Sequence, residues 1–204
     1  MIHLHYIDDA LLVAEKPAGL LSVPGRSEEN QDCVVTRLQG VYPDALTVHR
    51  LDQVTSGLLL HARGKEMQAA LSMQFERRQV GKRYEAIVQG VIEGEAGEVD
   101  LPLIVDWPNR PKQMVDRERG KPALTRWRVL ARDAGAQRTR VELEPITGRS
   151  HQLRLHMASL GHPIVGDVLY DAAPAQRVHL HARSLQFTHP VTGEALAFES
   201  AAPF

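Results

Sequence analysis

A single cysteine, Cys33, excludes an internal disulfide, and no apolar run reaches the ~18 residues that a membrane-spanning helix needs. The opening Met-Ile-His-Leu-His-Tyr-Ile-Asp-Asp lacks the basic flank and apolar stretch of a secretory signal, so the cytoplasm is the expected compartment. Bulk positive charge is missing as well: 24 Lys and Arg stand against 25 Asp and Glu, for a formal net charge of −1. That balance argues against a protein that coats nucleic acid through its overall potential. Repeats, low-complexity tracts and glycine-rich nucleotide loops are absent. Metal-ligand spacing is absent too. His151 and His156 are five apart rather than four, and His179 and His181 alternate along a strand with no Cys or carboxylate beside them. Neither a metal nor another cofactor is expected.

What is present suits one ordered domain. A chain of 204 residues with 43% hydrophobic and 24% charged residues has ordinary globular composition and can bury a core, so a single domain over 1–204 and a compact monomer are expected. Of the basic side chains 19 are Arg and five are Lys, and guanidinium suits forked phosphate contacts and stacking on bases. From Trp107 to Arg128 seven basic residues face only two acidic ones, a local patch that reads equally as a phosphate-binding strip or a solvated face.

Hydrophobic periodicity predicts an α+β fold built on a mostly antiparallel, mixed sheet with flanking helices and loops. Strands are expected at Ile2–Tyr6, Leu11–Glu15, Thr47–Arg50, Gly57–Ala62, Tyr84–Val88, Leu124–Ala131, Thr139–Glu144, Val178–Phe187 and Ala195–Phe198. A helix capped by Asp32 should run through Tyr42. Another at Lys65–Arg77 should turn Met67, Ala70, Leu71 and Gln74 or Phe75 inward. A third at Ser150–Leu160 has Ser150 as its cap and Gly161 with Pro163 as its stop.

Two polar constellations stand out. His49-Arg50-Leu51-Asp52-Gln53-Val54-Thr55-Ser56-Gly57 sets charged and hydroxyl groups between apolar strands, where catalytic loops commonly sit. Taken alone, the stronger reading is a turn whose Asp and hydroxyl side chains bond their own amides. Pro145-Ile146-Thr147-Gly148-Arg149-Ser150-His151-Gln152 puts a guanidinium at a helix mouth, the wrong sign for the helix dipole, so Arg149 needs an anion beside it.

The segment His-Arg-Leu-Asp-x-x-Thr-Ser-Gly-Leu-Leu-Leu at 49–60 resembles the catalytic motif of the pseudouridine synthases typified by the A-type enzymes of large-subunit rRNA. Lys16-Pro17-Ala18-Gly19-Leu20, Lys82-Arg83-Tyr84-Glu85-Ala86, Gly148 through His156, Gly161 through Asp167 and Leu180-His181-Ala182 resemble that family's other segments, in the same order. Leu21 through Arg26 and Asp106 through Gln113 resemble the A-type enzymes in particular. The resemblance implies isomerisation of uridine to pseudouridine in structured RNA, in a large-subunit rRNA loop and a tRNA anticodon stem-loop. It makes Asp52 the catalytic carboxylate and Tyr84 the active-site tyrosine, and it assigns Arg149 to the arginine that keeps Asp52 ionised in a dry pocket. Arg50, Lys82, Arg110, Lys112 and Arg154 are the basic residues expected to contact RNA. Many relatives carry an N-terminal S4-type RNA-binding domain; none is expected here, as in the A-type enzymes.

The reaction cleaves N1–C1′, turns the detached uracil, joins C5 to C1′ and removes the C5 proton. It needs one carboxylate and a confined pocket, with no redox or phosphate energy. Whether Asp52 attacks C1′ or assists a glycal intermediate stays open. Two rivals are weaker. A non-catalytic RNA-binding protein has no need of Asp and Arg at these positions. A glycosidase needs a second facing carboxylate, for which Asp167, in a turn-like Gly-Asp context, is the sole candidate.

Overall fold

The computed structural model describes residues 2–204. In chain order the described residues form β1 (His3–Ile7), β2 (Leu11–Lys16), α1 (Val34–Gln39), β3 (Ala45–Thr47), β4 (Ser56–Arg63), α2 (Gly64–Glu76), β5 (Gly81–Gln89), β6 (Ala96–Asp100), β7 (Leu103–Val105), β8 (Gln113–Val115), β9 (Leu124–Asp133), β10 (Arg138–Pro145), α3 (Gln152–Ser159), β11 (Leu180–Thr188) and β12 (Ala195–Glu199). Short 3-10 turns lie at Glu28–Asn30, Trp107–Asn109 and Val168–Tyr170. They divide into two compact units, the chain up to Lys82 with His181–Pro203, and Arg83–Leu180 with Phe204.

In the first unit the strands run β1-β2-β4-β11, with β3 also on β4 and β12 on β11. All pairs are antiparallel except β4–β11, which is parallel. β4 explains its own place: Ser-Gly-Leu-Leu-Leu-His-Ala is buried throughout, the unbroken apolar run of a strand covered on both faces. Leu58 and Leu60 pack with Leu11, Val13, Leu71 and Phe187, and Met67 and Phe75 of α2 close over them. Each such side chain contributes roughly 1.5–3 kcal/mol on leaving water. In the second unit the order is β5-β10-β9-β6, all antiparallel, with β7–β8 as a separate hairpin. Thr139, Val141 and Leu143 alternate inward along β10. Tyr170, Leu103, Ala123 and Leu155 form a satellite core between the hairpin and α3. The architecture is the mixed, mostly antiparallel α+β fold that periodicity predicts.

Three local expectations are corrected. Asp32 does not cap α1; its carboxylate takes a fork from Arg37 at 2.7 and 2.6 Å, and Cys33 is the cap, in a box closed by Thr36. The strand expected at Thr47–Arg50 is β3, which ends at Thr47, so His49 and Arg50 already belong to the loop. Ser150 does not cap α3 either. His151 does, in the left-handed region at φ 52°, with no side-chain cap bond. Of the described helices none is long and apolar enough to cross a membrane.

Candidate active site

The loop from Val48 to Thr55 carries Asp52, and buried polar groups of the first unit grip it on both sides of that residue. Leu51 is buried, and the hydroxyl of buried Ser22 donates to its carbonyl at 2.8 Å while accepting its N–H at 3.0 Å. The Gln53 carbonyl accepts the Gly19 N–H at 2.8 Å and the Lys16 ammonium at 3.0 Å. Lys16 is fully buried, and it also donates to the carbonyls of Pro17 at 2.9 Å and Leu20 at 2.6 Å. A buried ammonium is tolerable only when so solvated by the chain. The Asp52 carbonyl closes the turn by accepting the Thr55 N–H at 3.0 Å. Between these clamps Arg50 is exposed, Leu51 buried and Asp52 half-buried, an alternation that leaves Arg50 and Asp52 on the open side.

The residues behind Asp52 explain the rest of the motif. Ser56 is buried with its hydroxyl 2.9 Å from Nδ1 of His181, whose Nε2 lies 3.1 Å from the Ser200 hydroxyl and 3.9 Å from the Glu15 carboxylate. Gly57 has φ +114°, and a Cβ there would stand 2.3 Å from the Ala182 carbonyl oxygen, so the parallel β4–β11 contact admits only glycine. His49 stacks on Phe75 at 4.5 Å and accepts the Leu60 N–H at 2.9 Å. Burial, with His61 and Lys82 nearby, pushes His49 down to about 3, and burial pushes His61 down to about 4. Both are neutral struts. Lys82, expected on RNA, is half-buried, and desolvation lowers its pKa from the ordinary lysine value.

Tyr84, Arg149 and Arg154 belong to the second unit. Tyr84 is half-buried on β5, opposite Leu143 of β10. The turn before α3 is built on buried Gln152. Its Oε1 accepts the Thr147 hydroxyl at 2.7 Å and the Arg149 N–H at 3.0 Å, while its Nε2 donates to the Leu124 carbonyl at 2.9 Å. Arg149 is exposed, and its Nε donates to the Pro122 carbonyl at 3.1 Å. The expectation of Arg149 in a water-excluded pocket is therefore corrected, because its side chain lies in solvent.

Arg154 has the opposite surroundings. It is only 4% exposed, and its Nε and Nη2 fork onto buried Asp167 at 2.6 and 2.7 Å, which leaves Nη1 for other partners. Arg154, expected among the residues that contact RNA, is thus a buttressed interior cation rather than an exposed one. Asp167, read from sequence as a turn residue, is its buttress.

The basic strip also resolves. Arg126 pairs with Glu98 at 2.7 Å, Arg128 with Glu142 at 3.0 Å and Arg119 with Asp116 at 2.8 Å. Among the described residues no carboxylate lies within salt-bridge distance of Arg110, Lys112, Arg117 or Lys121. Arg110 instead lies over the Trp107 ring, 4.1 Å from its centroid, and Lys112 lies 5.8 Å from that of Tyr170. Among the described residues no three His, Cys, Asp or Glu side chains are grouped so as to hold a metal ion. The groups that sequence reasoning missed, Ser22, His181, Gln152 and Tyr170, act on residues distant in the chain, and no short motif signals them.

The family model described as RNA pseudouridylate synthase matches residues 10–159, and the chain belongs to that family of isomerases. More particularly, it is 51% identical over 203 residues to the dual-specificity RNA pseudouridine synthase RluA of Escherichia coli (strain K12), covering 98% of this chain and 92% of that one. It is 54% identical over 194 residues to the same-named protein of Vibrio cholerae, covering 93% and 78%. Among solved structures it is similar to human RNA pseudouridylate synthase domain containing 1, with a TM-score of 0.83 and 28% identity over 100% of this chain and 84% of that one.

Proposed function

We propose that this protein converts uridine to pseudouridine in both ribosomal and transfer RNA, acting in the cytoplasm as a monomer with one catalytic domain and no added cofactor. The observation that carries this reading is the loop of Asp52, whose main chain is fixed by Ser22 on one side and by Lys16 and Gly19 on the other. Such pre-organisation places an anionic oxygen at one point without reorganisation during the reaction. The dual specificity by which the relatives are named supports two classes of substrate.

In this mechanism Asp52 supplies the anionic oxygen for C1′ as N1–C1′ breaks. Tyr84 offers its ring to the detached uracil, and C5 joins C1′ before losing its proton. Arg154 is the interior cation of its own unit, held by Asp167, whereas Arg149 is exposed. Arg149, Lys82, Arg110 and Lys112 hold the RNA backbone. Arg50, exposed and two residues before Asp52, fills the space that the flipped uridine leaves; flipping costs about a few kcal/mol.

The test is to incubate the protein with total RNA from cells lacking the modification and to map pseudouridine at each site. New pseudouridine in one large-subunit rRNA loop and in tRNA anticodon stem-loops is the expected result. Product confined to one RNA class would refute dual specificity, and none in either would refute the reading.

A further inference from the structure

The hairpin β7–β8 carries an aromatic side chain that the mechanism does not use. Trp107, at its tip, is 64% exposed although the Arg110 guanidinium covers one face of its ring. The exposed part is therefore the other face and the ring edge. The tip that presents it is stiff: Asp106 and Lys112 N–H groups donate to the Lys112 and Asn109 carbonyls at 3.0 Å each, and Asn109 donates through its main chain and side chain to Asp106 at 3.0 and 2.9 Å.

The hairpin is also tied to the arginine segment. Buried Tyr170 accepts the Gln113 N–H at 3.0 Å, and its hydroxyl lies 2.9 Å from Nδ1 of His151, which caps α3. This hydroxyl is thus a hydrogen-bonded link between the start of β8 and the cap of the helix that bears Arg154.

We propose that the open face of Trp107, backed by Arg110, is a seat for one unpaired base of the RNA substrate. This rests on the reading that the protein acts on RNA. A planar ring held by a cation on its far side offers a pre-oriented stacking surface, and stacking tolerates any base because every base has a π face. Arg110 and Lys112, which have no carboxylate within salt-bridge distance among the described residues, stand beside it for the adjoining phosphates. That unbalanced positive charge favours a nucleic acid over a protein as the occupant of the ring.

The experiment uses Trp127→Phe, which leaves Trp107 as the sole tryptophan of the two in the chain. A synthetic tRNA anticodon stem-loop is titrated in, with binding followed by anisotropy of a label on the RNA and stacking by tryptophan emission. Emission should be quenched in step with binding. In the wild-type background, Trp107→Ala should weaken binding about tenfold and Trp107→Phe, which keeps a ring, less than about threefold, with the loss in KM rather than kcat. Tyr170→Phe, which removes the bond to His151, should lower kcat about threefold or more while the quench persists. Binding without quenching, or full affinity in Trp107→Ala, overturns the seat and leaves the ring to a protein partner. No RNA binding at all overturns it too. Quenching and the affinity loss without pseudouridine formation uphold the seat and count against the catalytic reading alone.

Discussion

The two units hold their functional groups by different physical means. In the first, the Asp52 loop is fixed by buried groups that bond main chain: Ser22 brackets Leu51, Lys16 gathers three carbonyls, and neutral His49 receives the Leu60 N–H. In the second, a buried charge is held by a buried charge, Arg154 on Asp167, and ion pairs continue along the sheet at Arg126–Glu98 and Arg128–Glu142. The difference teaches where sensitivity lies. A main-chain clamp fails in steps of one hydrogen bond, whereas a buried ion pair fails all at once, because either partner left alone is an uncompensated charge.

The largest expected effect is therefore in the second unit. Asp167→Ala strands the Arg154 guanidinium and should cost about 3–5 kcal/mol in denaturant unfolding. Replacing Asp167 and Arg154 together with apolar residues should recover part of that stability but no activity. A loss below ~1 kcal/mol for Asp167→Ala would put the pair in the same class as the surface pairs and erase the contrast.

The buried histidines of the first unit should make the protein sensitive to mild acid. His49 and His61 have folded-state pKa values of about 3 and about 4, below the ~6.5 of an unfolded histidine. The unfolded chain thus binds protons first as pH falls. Their contribution is fully present above ~6.5 and is lost progressively down to about pH 4 and below, a decline on the order of 3 kcal/mol for each histidine by pH 4. Asp8 acts lower. Desolvation raises its pKa, but hydrogen bonds from the Ala10 N–H, the Tyr6 hydroxyl, the Leu11 N–H and His189 outweigh it and hold Asp8 at about 2. Its stabilisation is complete above the ordinary carboxylate value and is lost only as pH falls through about 2. Urea midpoints measured from pH 7 to pH 4 should fall, and His61→Phe should flatten that slope. An unchanged slope in the variant would remove His61 from the account.

Ser22→Ala should cost about 1–3 kcal/mol, since it leaves the N–H and the carbonyl of buried Leu51 without their partner, and it should lower kcat by loosening the Asp52 loop. Ser22→Thr, which restores a hydroxyl, should regain part of the rate. The smallest effect is expected at the surface of the second unit: Arg126→Ala, which breaks an exposed pair with Glu98, should change stability by less than ~1 kcal/mol.

Much of this was legible beforehand, and the failures have physical reasons. The apolar run of β4 and the alternation in β10 announce a central strand and a half-covered one, and α2 starts and ends within a residue of its expected bounds. The hairpin β7–β8 escaped because three-residue strands around a Pro-containing tip carry too little period. The exposure of Arg149 escaped for a similar reason. Sequence shows two guanidinia in one segment, but which is buried depends on where α3 begins, and His151, in the left-handed region, caps it one residue later than Ser150 would. The basic strip looked unopposed because Glu98 and Glu142, which face its arginines, come from neighbouring strands far along the chain.

The claim at the centre of this account is that Asp52 is the catalytic carboxylate and that its loop is built to place it. The most direct measurement is pseudouridine formation in a substrate RNA by Asp52→Asn and Asp52→Glu, alongside their affinity for that RNA and their unfolding midpoints. Both variants should fold and bind as the parent does, Asn forming no product because the charge is gone and Glu almost none because the added methylene misplaces it. Turnover by folded Asp52→Asn at a rate near that of the parent would contradict the account.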